Sequence, residues 1–461
     1  MNLKSLLVFA SAGVLLSGCG IYTKYERPDI ITDGLVRDTV SLSDTLVIND
    51  TTSFGNLPWR SVFTDTQLQA LIDTALTNNV DLLNAALNVK MAKAQLTASK
   101  LAFLPAFSFS PSGTLSSWDG HTPSKVYSFP LEASWSIDLF GNLLNAKRSS
   151  QMAMIATQDY QLVVKTQLIA NVANMYYTLL MLDRELEIVN GMADLTKDTW
   201  RIMKLQKEWG EVNETAVASA EASYYSVLAQ AKDIERQIRE TENSLSLVLG
   251  QPAQTIARGN FDDQSLPEEF STGIAIDMLN NRPDVHYAEM SLAECFYNTN
   301  QARSNFYPSI TISGSGAYTN STGSSIINPG KLLLSAVGSL VQPIFQRGQL
   351  IAGLKVAKAQ QEQAYNTWQN AVLSAGSEVS NALVLYNSSA SKSELDRKSV
   401  EAYRRSVDMT RQLFNSSSAT YLEVISAQTS LLNAELTKVE DDFYKMQAVV
   451  NLYYALGGGR E

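Results

Sequence analysis

The chain is short of cysteine, histidine and charge. Its 461 residues include two cysteines and two histidines, and only 18% are charged. The cysteines, Cys19 and Cys295, lie at opposite ends of the first three hundred residues, and neither sits in a paired-cysteine motif. His121 and His286 are far apart in sequence, so no metal-ligand spacing can be read. The net charge of −10, with lysine and arginine scattered, argues against general nucleic-acid binding. No glycine-rich phosphate loop or nucleophile–base set stands out, and Gly314-Ser315-Gly316 lacks the third glycine of a dinucleotide loop. An enzyme is therefore not expected. After the N-terminus no apolar run reaches the length of about 18 residues that a membrane-crossing helix needs.

The N-terminus is a targeting segment. Lys4 precedes an apolar run from Leu6 to Leu16, followed by small residues. Residues Leu16-Ser17-Gly18-Cys19 form a lipobox-like sequence, so residues 1–18 are expected to be a signal peptide and Cys19 the acylated first residue, a palmitate-type anchor. That leaves Cys295 as the free thiol, expected as a buried small apolar residue.

Proline is absent from 131–251 and after Pro343. Both stretches carry apolar residues at helical spacing, as in Leu162, Val163, Leu168, Ile169, Val172, Met175, Tyr176, Leu179 and Leu180. The spacing predicts long helices from about Leu143 to Trp209 and from Leu350 to about Phe414. Each would be on the order of 100 Å at 1.5 Å per residue, which suits a coiled-coil-like assembly.

The chain also reads as an internal duplication. FLPAFSFSPSG (103–113) corresponds to FYPSITISGSG (306–316), with Pro105 and Pro308 separated by 203 residues. DLFG (138–141) corresponds to IFQRG (344–348) at an offset of 207 residues. Each half is read as helix, strand, loop, strand, very long helix, short turn and helix. Strands are expected at about 104–116 and 126–139, then 307–319 and 332–345.

In YSFPLEASWSIDL (127–139) every odd position is apolar and every even one small, polar or proline. The strand face of Phe107, Phe109, Phe129, Leu131, Trp135, Ile137, Ile310, Ile312 and Tyr318 would meet lipid, or the core of a soluble sheet; alternation alone does not separate the two. Ser108, Ser110, Glu132, Asp138, Thr311 and Ser313 take the wet face. Leu332 to Phe345 is ambiguous, with apolar residues at both parities. If the face meets lipid, four strands cannot close a barrel, for which about eight are needed, so copies of the chain must share one.

These pieces resemble the TolC-like outer-membrane efflux proteins, in particular the OprM/NodT lipoprotein branch. The matching segments are Cys19, YERP (25–28), PWRSVFTDTQLQALIDTALTNNVDL (58–82), FLPAF (103–107), SWSIDLFG (134–141), NRPDV (281–285), FYPSI (306–310) and QPIFQRG (342–348). The resemblance implies a mainly α fold with a membrane β-barrel portion. Each chain would hold two tandem helix–hairpin–long helix–helix repeats, at 61–250 and 276–456. A homotrimer would build a twelve-stranded barrel continued by a periplasmic α-helical barrel. Residues 19–60 and 251–275 would wrap the equator, and 457–461 would be a flexible C-terminus.

The turns near 209–215 and 414–421 would be periplasmic tips that meet an adaptor protein and, through it, an inner-membrane pump. At the tips the resemblance singles out Gly210, Glu211, Val212 and Thr215, then Ser417 and Ala419, with serine at 416–417 where glycine is usual. Glu423 matches a position of the acidic rings that narrow the closed entrance, while the next family acid is Ser426 here. The implied function is a passive exit duct of a tripartite RND-type efflux pump, in the outer membrane and without a cofactor. A type I protein-secretion channel, or a lipid-anchored coiled-coil scaffold without a pore, are the alternatives.

Overall fold

The computed structural model describes residues 22–29, 35, 54–117, 119–120, 122–265, 267, 281–319, 332–416 and 418–461. Cys19, Ser417, His121 and the signal peptide lie outside the described residues. The fold is mostly helical, with one small antiparallel sheet. In chain order the elements are α1 (Thr66–Asn78), α2 (Val80–Leu101), β1 (Ala106–Phe109), β2 (Ser112–Ser116), β3 (Ser124–Ile137), α3 (Asn142–Glu208) and α4 (Glu214–Val248). Then follow α5 (Pro283–Ser304), β4 (Ser309–Thr319), β5 (Leu332–Val341), α6 (Gln349–Asn415) and α7 (Tyr421–Ala455). The second half repeats the element lengths of the first: α3 and α6 have 67 residues each, α4 and α7 have 35, and α2 and α5 have 22. Their uninterrupted course follows from the absence of proline and the sustained helical spacing.

The chain divides into two compact units. The first comprises 1–30, 86–159 and 286–371, and contains the whole sheet. The second comprises 31–85, 160–285 and 372–461.

In the first unit the strand order is β1-β3-β4-β5, and β2 also pairs with β3. The first strand is broken into β1 and β2 at Ser110-Pro111, because Pro111 has no N–H to give a ladder. β5 stops at Val341 rather than running to Phe345, and Pro343 supplies the same reason. Beside the sheet, residues 22–29 lie along α5. Arg27 pairs with the buried Glu289, the Tyr25 N–H donates to Tyr297 Oη at 3.3 Å, and the Tyr25 and Phe296 rings meet edge-on. Cys295 is half-buried rather than buried, and burial pushes its thiol pKa up.

The second unit holds the main core. Phe54, Trp59, Val62, Phe63, Leu68 and Ile72 pack with Val172, Tyr176, Leu179, Leu180, Leu245 and Val450. Asp65 starts α1 by accepting from the Gln67 N–H at 2.8 Å, and its other oxygen accepts from Tyr176 Oη at 2.6 Å and Gln264 Nε2 at 2.9 Å. The C-terminus, expected to be flexible, is packed: residues 457–459 are buried, and Arg460 donates to Asn56 Oδ1 at 2.8 Å. Glycine permits this. Gly457 has φ +77° and lies so close to Asn281 that an added Cβ would stand 2.8 Å from its carbonyl oxygen.

Candidate functional site: an apolar strand face and two helical tips

The register places the aromatic positions together. Phe107 stands opposite Ala133, Phe109 opposite Leu131, Phe129 opposite Tyr318, Trp135 opposite Ile312 and Ile137 opposite Ile310. Directly opposed residues share a face, so all nine residues expected there lie on one side of the sheet. The same ladder resolves β5: Ile310 opposes Leu340 and Tyr318 opposes Leu332, which puts Leu332, Leu334 and Leu340 on the aromatic side. Among the described residues no helix covers that side, and Phe107 is 71% exposed, Leu131 55% and Trp135 41%. The Trp135 indole N–H donates to the Phe103 carbonyl at 2.9 Å, which satisfies its one polar group.

The opposite side carries Ser108 and Ser315 flanking Glu132, and Ser313 beside Ser134. Asp138 departs from expectation. It lies beyond the end of β3, and its Oδ2 accepts from the Leu144 N–H at 2.7 Å, which satisfies an orphan donor at the start of α3.

The two tips close by different chemistry. At the first, the Gly210 N–H bonds Lys207 O at 3.0 Å and the Glu211 N–H bonds Gln206 O at 2.9 Å. This double closure requires a left-handed residue, and Gly210 has φ +79°. Asn213 then caps α4 by accepting from the Ala216 N–H at 3.1 Å. Glu211 and Thr215 are exposed, and Val212 is half-buried. At the second tip, the Ser418 N–H reaches Leu413 O at 2.8 Å, and neither Ser416 nor Ser418 is left-handed. Thr420 and Glu423 form a reciprocal capping box: the Thr420 N–H donates to Glu423 Oε2 at 2.6 Å, and the Glu423 N–H to Thr420 Oγ1 at 3.4 Å. The Thr420 N–H first, and the Thr420 hydroxyl donating to Glu423 Oε2 at 3.0 Å, hold the Glu423 carboxyl below the usual glutamate range.

One small core joins both tips. Met203, Ala216, Val217 and Ala220 pack with Phe414 and Val424, with Val212 and Ala419 against them. The structure thus brings Val212 and Ala419 together, while Glu423 lines an open groove with Tyr403, Ser406, Thr410 and Ser426.

One cluster escaped sequence reasoning. His286 Nδ1 lies 2.7 Å from Asp159 Oδ2, joining α5 to α3. Glu289 and its partner Arg27 are next to it. The Asp159 hydrogen bond raises the His286 pKa above its ordinary value, against burial, which lowers it. A residue separation of 127 left no local signal for this pair. Among the described residues no group of three histidine, cysteine, aspartate or glutamate side chains could hold a metal, and no helix is long and apolar enough to cross a membrane.

Comparison with known proteins places this arrangement. The chain is 28% identical over 469 residues to the cation efflux system protein CusC of Escherichia coli K12, covering 100% of both chains. It is 25% identical over 466 residues to nodulation protein T of Rhizobium leguminosarum bv. trifolii, covering 97% of this chain and 96% of that one. Among solved structures, CusC superposes with a TM-score of 0.84 at 26% identity, covering 95% of this chain and 100% of that one. The Campylobacter jejuni CmeC outer membrane channel superposes with a TM-score of 0.85 at 22% identity, covering 96% of this chain and 95% of that one, a likeness of fold alone. The outer membrane efflux protein model matches residues 71–251 and 276–458, most of the chain, and the protein belongs to that family.

Proposed function

We propose that the protein is the outer-membrane exit duct of a tripartite efflux pump. In this reading it works as a homotrimer anchored by an acylated Cys19. The observation that carries it is the one-sided apolar sheet: among the described residues nothing covers its aromatic face, and no strand pairs with its outer edges, β1–β2 and β5. Such a face is stable in lipid, and such edges are satisfied when copies close a barrel. Two tandem repeats, 61–250 and 276–456, supply four strand passes per chain, so three copies supply twelve.

The helical tips, with Gly210, Glu211, Val212, Thr215 and Ala419 exposed or half-buried at their ends, form the surface for a periplasmic adaptor and, through it, an inner-membrane pump. Ser417, a further adaptor-contact candidate, lies outside the described residues. Glu423 is the gate candidate. Three copies would bring three carboxylates around the axis, each already fixed at the start of α7 by its capping box. The duct does no chemistry, and the pump supplies the energy. Cations are the first cargo class to test, because relatives named for cation efflux match the chain over its full length.

Deletion of the chromosomal copy tests the proposal, with susceptibility measured to metal cations, organic solvents and antibiotics. Sensitisation to at least one class, restored by the intact chain, is expected. Unchanged susceptibility across the panel would reject an efflux role.

A further inference from the structure

Midway along the second unit, polar side chains tie α6 to α7. Lys392 Nζ donates to Asp441 Oδ1 at 2.5 Å, and Ser393 Oγ donates to Asp442. Lys438 Nζ also donates to Asp442 Oδ2 at 2.6 Å, so Asp442 has a cation of its own. Asp396 stands one turn along α6 from Lys392 and lies within hydrogen-bonding reach of Asp441. The Asp441 side chain is only 3% exposed. One oxygen of each aspartate, Oδ2, is buried without a hydrogen-bond partner among the described residues. Buried polar atoms are rarely left in that state, so these two need a donor. An ionised carboxylate only accepts, and two of them in contact cannot satisfy each other.

We propose that Asp396 and Asp441 form a proton-binding site: Asp396 takes up one proton and donates it to Asp441, tying α6 to α7 more tightly as pH falls. Charge counting favours a proton over a metal ion. With one proton the pair carries a single negative charge, which the one Lys392 ammonium matches. The other groups nearby are already engaged. On α7, Asp442 is matched by Lys438, and the exposed Glu440 accepts from Tyr444 Oη at 2.8 Å. From α3, Glu185 lies near Glu440. A divalent cation would find two carboxylates, one of them already holding an ammonium, where it takes six or more oxygens.

Burial first, then the hydrogen bond and charge of Asp441, lift the Asp396 pKa above the ordinary aspartate range; Asp442 assists and Lys392 opposes. A carboxyl whose folded pKa is raised contributes stability in full below its unfolded value of about 3.9, and loses it as pH rises through the folded value. The neighbouring ties run the opposite way. Arg404 donates to Glu435 Oε1 at 2.6 Å, and this pair and Lys438–Asp442 need ionised carboxylates, so they weaken in acid. The protonated pair gains as those ties fade, and the contact of α6 with α7 is kept over a wider pH range than ion pairs alone would allow.

Unfolding temperatures of the full-length, detergent-extracted protein in EDTA, from about pH 4.5 to 8.5, test the site. Asp396→Asn gives Asp441 a permanent amide donor and cannot titrate. It is expected to exceed the parent by a few degrees at the alkaline end, with the gap closing as pH falls and the parent acquires its proton. A gap that is independent of pH, or one that grows in acid, overturns the proposal. Asp396→Ala removes the carboxyl altogether and serves even if the asparagine variant does not fold. It is expected to fall furthest below the parent in acid and to approach it at the alkaline end; a loss that is largest at the alkaline end overturns the proposal. Excess calcium or zinc chloride in place of EDTA should leave the parent's unfolding temperature where it is. A rise at alkaline pH that Asp396→Ala lacks would make the pair a metal site and overturn the proton.

Discussion

In the helical unit Leu68, Ile72 and Tyr176 are fully buried, whereas in the sheet Phe107, Phe109 and Leu131 are more than half exposed. The residue types are alike and the surroundings opposite. Burial of one such side chain stabilises a water-soluble fold by about 1.5–3 kcal/mol. A row of them left outside gives that up unless the medium itself is apolar. The helical unit is thus built against water, and the sheet is suited to lipid. Substitutions that tell the two media apart sharpen this contrast.

The largest effect is expected from a charge placed on the apolar strand side. Leu131→Arg, mid-strand in β3, should cost on the order of 2–4 kcal/mol per copy in the bilayer, and three times that in the proposed homotrimer. Loss of the protein from outer-membrane fractions is the readout. Trp135→Arg, nearer the strand end, should have a smaller effect in the same direction. Ser134→Arg on the opposite side should still assemble. Equal loss for Leu131→Arg and Ser134→Arg would mean that the faces are misassigned.

Next comes truncation. Leu68→Ala in the helical core should lower stability by about 2–5 kcal/mol, because it opens a cavity in a closed cluster. Leu131→Ala should cost much less if, as proposed, its side faces lipid, whose flexible chains refill the space. Thermal unfolding of the detergent-extracted protein would compare them, and equal losses would place Leu131 in a protein core. Tyr176→Phe should rank third, at about 1–2 kcal/mol, because it removes a donor from Asp65 and an acceptor from the Gly259 N–H while leaving the ring packed. An unchanged unfolding temperature would show that water replaces the hydroxyl.

How legible these regions were depends on the range of the interactions. Period-2 alternation marked Tyr127 to Leu139 because a strand face is a local property. Leu332 to Val341 gave no such reading, since Leu332, Leu333 and Leu334 fill both parities; only pairing with β4 assigns the sides. Residues 457–461, expected to be flexible, are packed instead: Tyr453 and Asn281 lie against Gly458 and Gly457 because nothing projects from glycine. Thr420-x-x-Glu423 is a legible capping box. Reading Glu423 only for a pore role obscured its local one. His286 and Asp159 could not be joined by any sequence rule, because the packing of α3 against α5 creates their contact.

That pair yields the smallest expected effect and a distinctive pH profile. Asp159, hydrogen-bonded to His286, raises the imidazole pKa, with burial and Arg27 opposing and Glu289 assisting. A histidine whose folded pKa is raised contributes charge-dependent stability in full below its unfolded value of about 6.5, and loses it as pH rises through the folded value. His286→Gln should therefore destabilise most in mildly acidic buffer, by under about 1 kcal/mol given its partial exposure. The gap to the parent should narrow as pH rises past the folded pKa, because glutamine can keep a neutral hydrogen bond to Asp159 but not the ion pair. Unfolding temperatures of parent and variant measured from pH 5.5 to 8.5 would follow the gap. A gap that widens with pH would mean that Asp159 is matched by another cation and that the α3–α5 contact does not depend on imidazolium.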